Sequence, residues 1–306
     1  MIPSEEHMMI PGHPRSVMPN NTSVAVCLNA FDSHDDVSPQ LVEWLQFARQ
    51  FQVDKVYIYL INVHPNIRRV LDYYGHLGFV DVTELLHPPR AYYNPEPSDV
   101  SNKGSQERYK MQQLRRQLLP YNDCLYRAIH KHHWITAMDL NEMIVPIKDE
   151  TWARLIEREA QHERFDVLTF DRYFFVTRRF NEDGFDLTAD EDKYSLPMLG
   201  QTWTLPVVGD RGVYETSLQS TASMLAMHNQ PPLACVNECK IRYVQADHAK
   251  LHSYTSIYKD PCGDMQLSEL ACRQNLAAAK PDHTLAKMGN VAQEVENILN
   301  KIALKS

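Results

Sequence analysis

Apolar and polar positions alternate in strand-like and helix-like periods along the first half of the chain. Ser23–Leu28 is a short apolar run, the expected first strand, and a polar loop follows from Asn29 to Val37 with Asp32, His34, Asp35 and Asp36. Ser38 is placed to cap a helix with Pro39 in its first turn, and Leu41, Trp44, Leu45 and Ala48 share one helical face. Lys55–Ile61 (KVYIYLI) is nearly continuous in apolar residues, as in a strand buried on both faces. Pro65 starts a second helix with Ile67, Val70, Leu71 and Tyr74 inward, ending near Gly75 and Gly78. Phe79–Leu85 is a third strand. Strand, helix, strand, helix, strand at this pitch predicts an α/β fold: a mostly parallel sheet flanked by helices, with right-handed crossovers.

The pattern then loosens. His87 to Gly104 is a Pro- and Asn-rich loop of the kind that covers a site. Helices are expected over Gln106–Leu119 and, capped by Asn122, over Asp123–His133. A strand follows at Trp134, and after Pro146 a helix capped by Asp149 with Trp152, Leu155 and Ile156 inward. Phe165–Val176 is a further strand region, and residues 181–216 read as an acidic, irregular excursion over the sheet's edge. Ser223–His228 and Ile241–Val244 are short strand candidates. The tail is helical: Ser268–Ala279, a break at Pro281, then Leu285, Met288, Val291, Val295, Ile298 and Leu299 on one face. That stripe suits core packing better than a homodimer contact, its alternative. We divide the chain into a loose leader at 1–20, a main domain at 21–262 and a C-terminal helical segment at 263–306.

Composition narrows the function classes. A net charge of −8 argues against a nucleic-acid partner, since phosphate binding depends on clustered Lys and Arg. No apolar run is long enough to span a bilayer, so a soluble chain is expected, and the first residues lack a signal-peptide pattern. Six cysteines in a chain this long do not make a disulfide scaffold. Cys235 and Cys239, spaced C-x3-C, miss the usual zinc spacing; partly buried thiols are expected, with a lumenal disulfide as the rival. Asn20-Asn21-Thr22 and Asn21-Thr22-Ser23 both satisfy the glycosylation triplet.

Candidate chemistry concentrates at Trp134–Pro146, WITAMDLNEMIVP. An apolar strand delivers Asp139, Asn141 and Glu142 and is followed by a second apolar run. Carboxylate and amide oxygens above a sheet suit a hard divalent cation, which can hold a diphosphate. The competing reading is a solvated polar turn after a strand. No G-x-G-x-x-G, G-x-x-x-x-G-K-[ST] or G-x-S-x-G occurs, so dinucleotide, P-loop and α/β-hydrolase fingerprints are missing. Only ten glycines fit a phosphate site that relies on a metal rather than a glycine cradle. His228, after MLAM, and His252, in QADHAKLHSY, read either as structural histidines or as late ligands completing a metal site.

The order of these pieces resembles glycosyltransferase family 92. The matching stretches are LVEWLQFARQFQVDKVYIYL, VLDYYGHLGFVDV, QLLPYNDCLYRAIHKHHWITAMDLNEMIVP, MLAMH and ADHAKLHSY, spread over residues 23–258. The resemblance implies a GT-A type fold and transfer of a sugar, usually galactose, from a UDP donor to a glycan acceptor with inversion. It also implies Mn2+ or another divalent cation at a D-x-D, Golgi or secretory-pathway residence, and a membrane anchor outside this chain. Carried over, Asp139 contacts the donor ribose or the metal, Asn141 stands where a metal-binding aspartate belongs, and Glu142 matches the following glutamate. His252 matches the late metal-site histidine. Asn29, at the start of the first polar loop, joins Asp139, Asn141 and Glu142 in the donor-binding set. Two departures stand out: Asn141 is a neutral amide, and Ser253 interrupts a His-Tyr-Arg run, with Tyr254 next. An inverting transfer needs a carboxylate base; Asp247, five residues before His252, is the candidate, with Glu215 and Asp210 as alternatives. A degenerate glycan-binding or scaffold protein on the same fold is the competing function, and an unrelated metal-dependent hydrolase a distant third.

Overall fold

The computed structural model of the protein describes residues 22–85, 117–161, 163–176, 180–181, 184–185, 196–208, 215–228, 232–254, 274–288 and 290–303. The expected leader, the loop at 87–104, the helix over 106–116, Asp210 and both glycosylation asparagines lie outside the described residues. The first half follows the sequence pattern closely. Strand β1 (Val24–Ser33), helix α1 (Ser38–Gln50), β2 (Lys55–Val63), α2 (Pro65–His76) and β3 (Val80–Glu84) wind into parallel pairs β1–β2 and β2–β3. Helix α3, over 117–128, leads to β4 (Trp134–Met138), which lies parallel to β1 on its other side.

The apolar runs are continuous because these strands are covered twice. Along β1, Val24, Val26 and Leu28 face the core of α1 and α2, while Ala25 and Cys27 face Tyr121, Cys124, Leu125 and Ala128 of α3. Gly78 has φ of 72°, a left-handed conformation that glycine adopts without a Cβ clash, and it turns the chain from α2 into β3.

The second half is mixed. Strand β5 (Glu142–Pro146) is followed by α4 (Trp152–Glu159) and the long β6 (Val167–Val176). The two-residue strands β7 (Phe180–Asn181) and β8 (Gly184–Phe185), the one-turn α5 (Pro197–Gly200) and β9 (Trp203–Val208) come next. Then follow β10 (Glu215–Ser220), β11 (Met224–Ala226), β12 (Ala234–Cys235), β13 (Ile241–Tyr243) and β14 (Ala249–Tyr254). The chain ends with β15 (Lys280–Pro281), a 3-10 turn at Leu285–Lys287 and helix α6 (Val291–Ala303). The main sheet runs β15-β9-β6-β10-β4-β1-β2-β3, and β10 is antiparallel to both neighbours. Strand β14 joins β5, antiparallel, to the far half of β6, parallel. In α6, Val291, Val295 and Ile298 are buried in the core shared with α1, so the tail stripe packs inward.

Several sequence expectations change. Asn29–Ser33 belongs to β1 rather than to a loop. Ser38 does not cap α1: Val37 holds that position without a side-chain bond, and the Ser38 amide donates to Asp36 at 3.1 Å. At α4, Thr151 is the cap, accepting from the Arg154 amide, while Asp149 pairs with Arg158 at 2.7 Å. Asn122 lies inside α3 rather than at its start. The end of the expected excursion, Glu215 and Thr216, opens a strand at 215–220 inside the sheet, between β4 and β6. The four described cysteines are disulfide-bonded, Cys27 to Cys124 and Cys235 to Cys239, which overturns the expectation of thiols. The first bond ties β1 to α3; the second closes a short surface loop.

Candidate active site

The parallel strands β1, β2 and β4 end on one side of the sheet, and the turn Asp139–Asn141 sits there between β4 and β5. It is short because the Glu142 amide donates to the Asp139 carbonyl at 3.1 Å. Two tryptophans hold its far side. In β5 the carbonyls of Glu142 and Ile144 point away from β14, where a strand edge would leave them unpaired. Trp44 Nε1 of α1 donates to the Glu142 carbonyl at 2.8 Å, and Trp152 Nε1 of α4 donates to that of Ile144 at 2.9 Å. On the near side, the Tyr254 amide donates to the Asn141 carbonyl at 2.8 Å, and Asn141 Nδ2 donates to the Tyr254 carbonyl at 3.3 Å.

Asn29 and Asp139 are brought together by an irregularity in β1. Pairing with β2 shifts register between Leu28 and Phe31, and pairing with β4 stops at Leu28. A bulge of this kind re-aims a side chain, and here Asn29 Nδ2 donates to Asp139 Oδ1 at 2.8 Å. The other carboxylate oxygen of Asp139 has no partner among the described residues. Asp139 keeps some exposure, yet surrounding protein and the nearby Glu142 charge push its carboxyl up to about 6. Asn141 is exposed, and its side-chain oxygen is also unengaged among the described residues.

Glu142 points elsewhere. It is 1% exposed, pairs with Arg172 of β6 at 2.6 Å and accepts from Thr216 Oγ1 of β10 at 3.2 Å. This carboxylate ties β5, β6 and β10 together below the turn, with one oxygen engaged by Arg172 and the other by Thr216. Asp247 also departs from expectation. It is exposed, paired with Lys148 at 2.6 Å, and lies before the start of β14, whereas the turn meets that strand's end. The structure does not bring Asp247 to the other candidates. Glu215 begins β10 opposite Asp171; continuing the Gln219–Ile135 register places it at the level of Asp139.

His252 lies on β14 opposite Met143, on the same sheet face as Tyr254 and Asn141 by alternation. Its ring stacks on Phe175 with centroids 4.0 Å apart, and Nδ1 shares a 3.0 Å hydrogen bond with the Tyr254 hydroxyl. Burial drives its proton off, to a pKa of about 3, and Nε2 is buried without a partner among the described residues. A neutral imidazole with an orphaned nitrogen is compatible with a ligand role. Among the described residues no group of three or more His, Cys, Asp or Glu is close enough to hold a cation by itself. The free oxygens of Asp139 and Asn141 still fit a hard cation that completes its shell with diphosphate and water.

Comparison with known proteins gives the family of the chain. The sequence profile of glycosyltransferase family 92 matches residues 22–288. Curated protein sequences give no match. Among solved structures, S. aureus TarS 1–349 is similar at 10% identity and a TM-score of 0.40, over 76% of this chain and 60% of that one. The same protein in complex with UDP gives 11% and 0.39, over 77% and 61%. Core-mannan synthase A of Aspergillus fumigatus, in a Mn/GDP form, gives 11% and 0.27, over 53% and 45%. This chain therefore spans about 60% of the length of the TarS fragment. With a mixed, mostly parallel sheet in the expected GT-A-like arrangement and the family profile over most of its length, the chain belongs to glycosyltransferase family 92.

Proposed function

We propose that the protein transfers a sugar, galactose by the family resemblance, from a UDP donor to a glycan hydroxyl with inversion, using a divalent cation at the Asp139–Asn141 turn. The observation that carries this reading is the turn itself: two unengaged oxygen donors at the C-terminal ends of parallel strands, with Asn29 orienting the carboxylate. A cation bound there supplies charge neutralisation of the departing diphosphate. Asp139 and Asn141 would hold it through oxygens, and His252 Nε2 is the candidate third ligand. Glu215 replaces Asp247 as our candidate base: it would take the proton of the acceptor hydroxyl as that oxygen attacks the anomeric carbon opposite the diphosphate. Disulfides form and persist in oxidising compartments, so the Cys27–Cys124 and Cys235–Cys239 bonds support a secretory-pathway or Golgi lumen. No described helix is long and apolar enough to cross a membrane.

The second reading, a glycan-binding protein without turnover, is favoured by one feature, the neutral amide at Asn141, which binds a cation less tightly than aspartate would. UDP release from UDP-galactose, measured with Mn2+ and a panel of glycan acceptors, separates the two. Acceptor-dependent release supports the transferase. UDP-sugar binding with no release at any Mn2+ concentration supports the second reading.

A further inference from the structure

The α3 side of the sheet holds a pair of aromatic polar groups whose heads have no partner among the described residues. Tyr121 of α3 is fully buried, and its hydroxyl has no hydrogen-bond partner among the described residues. Leaving a buried hydroxyl unpaired is costly, so such a group calls for a ligand or a reason. Burial, with the Asp139 and Glu142 charges adding to it, holds the phenol neutral and therefore a donor. The His228 ring packs edge-on against Tyr121, with centroids 6.1 Å apart. His228 is 6% exposed, and burial favours its neutral form. Neither ring nitrogen bonds to a described residue, so one donor and one acceptor remain free.

The pair is fixed from behind. Asn122, next to Tyr121, donates from Nδ2 to the Met227 carbonyl at 3.1 Å and accepts from the Met227 amide at 3.0 Å. This side-chain clamp grips the residue before His228 by both its backbone groups. Gln219 Nε2 then donates to the His228 carbonyl at 3.4 Å. The backbone around the pair is satisfied while, among the described residues, the phenol and imidazole heads are not, a pattern suited to recognising hydroxyls.

We propose that Tyr121 Oη and the His228 imidazole recognise hydroxyl groups of the donor's sugar ring beside the Asp139–Asn141 turn. The placement follows from the reading above, on which this inference rests: a sugar joined to a diphosphate held at Asp139 sits next to that carboxylate, and Tyr121 stands one helical turn before Cys124, which is bonded to Cys27 opposite Ala137, toward the strand ends that carry Asn29 and Asp139. A phenol donor and a neutral imidazole together offer two donors and one acceptor, the complement of neighbouring ring hydroxyls. Both groups then contribute to the sugar alone and add nothing to the affinity for the nucleotide.

Calorimetry on the full chain in Mn2+, with UDP, UDP-galactose, UDP-glucose and UDP-N-acetylglucosamine as probes, tests this through the affinity gained on adding a sugar to UDP. Tyr121→Phe removes one oxygen and keeps the ring, and loss of an unpaired buried hydroxyl should leave Tm equal or higher. The expected result is unchanged UDP affinity and a loss of about 3–10-fold for the preferred UDP-sugar, the size of one hydrogen bond. His228→Leu should give a similar selective loss, and His228→Gln should restore part of it. Selectivity for the sugar unchanged in Tyr121→Phe overturns the inference while leaving the donor-site reading intact, as does a wild-type protein that gains nothing from the sugar. Failure of the wild-type protein to bind UDP at all overturns both.

Discussion

The two halves of the sheet are buried by different chemistry. In β1, β2 and β4 the strands are covered on both faces, and their interior side chains are almost all apolar. In β6 and β10 the interior carries Thr169, Thr216, Ser217, Glu215 and Gln219, each at most 1% exposed. Several of these polar groups have polar partners within the fold: Thr169 and Ser217 share a 3.1 Å hydrogen bond, Thr216 meets Glu142, itself bound to Arg172, and Gln219 donates to the His228 carbonyl. A hydrophobic core stabilises by removing area from water and tolerates small defects; a buried ionic network depends on every partner. The candidate site lies on the seam, at a turn that leaves the apolar half through β4 and enters the polar half through β5.

Breaking the network should therefore produce the largest effect on stability. Glu142→Ala leaves the Arg172 guanidinium buried without this partner and should cost about 3–5 kcal/mol in denaturant unfolding. Replacing both residues by Met should recover most of the loss. A cost below about 1 kcal/mol would return Glu142 to the donor-binding set, since a residue needed only for ligand contacts does not hold strands together.

On the apolar side the comparable anchor is covalent. Cys27 and Cys124 are 97 residues apart in sequence, so their bond restricts a long loop of the unfolded chain. Replacing both with Ala should cost about 2–4 kcal/mol. An unchanged Tm in the double variant would mean that packing alone fixes α3 on β1.

At the seam the sign reverses. The Asp139 carboxyl titrates near 6 when folded, above its ordinary value of 3.8. Between those values the folded chain holds a proton that the unfolded chain releases, so stability falls as pH rises through that window. Asp139→Asn keeps an acceptor for Asn29 and removes the charge. It should raise Tm by about 1–3 °C at pH 7.5 and by little at pH 4. Equal shifts at both pH values would show that the charge is not strained there.

The same contrast explains what the sequence reveals. Val24–Leu28, Lys55–Ile61 and Trp134–Met138 are visible as strands because burial on both faces demands apolar runs. ETSLQS at 215–220 carries no such signal, since Thr216 and Ser217 find their partners in β5 and β6 residues distant in sequence; its first two residues fall in the expected excursion at 181–216 and the rest is assigned to no element. Asn29 and Asp139 were chosen as candidates, but their 2.8 Å contact depends on a bulge that no local pattern announces. Glu142 follows the turn residues in sequence, yet strand alternation and Arg172 draw it inward. Asp247 was selected by proximity to His252 along the chain, and β14 then carries the two apart. Tyr121 and His228 belong to quoted family stretches, but their pairing is set by the Asn122 clamp, a contact between residues 105 apart.

The central claim is that the Asp139–Asn141 turn holds a divalent cation on which nucleotide binding depends. Calorimetric titration of UDP into the wild-type chain, in chelator and across a Mn2+ series, tests it most directly, with Asn141→Asp measured in parallel. The account predicts little UDP binding in chelator, binding that grows with Mn2+, and a half-effect at lower Mn2+ in Asn141→Asp, because a carboxylate adds negative charge to the ligand set. Equal UDP affinity with and without Mn2+ in the wild-type chain would contradict it.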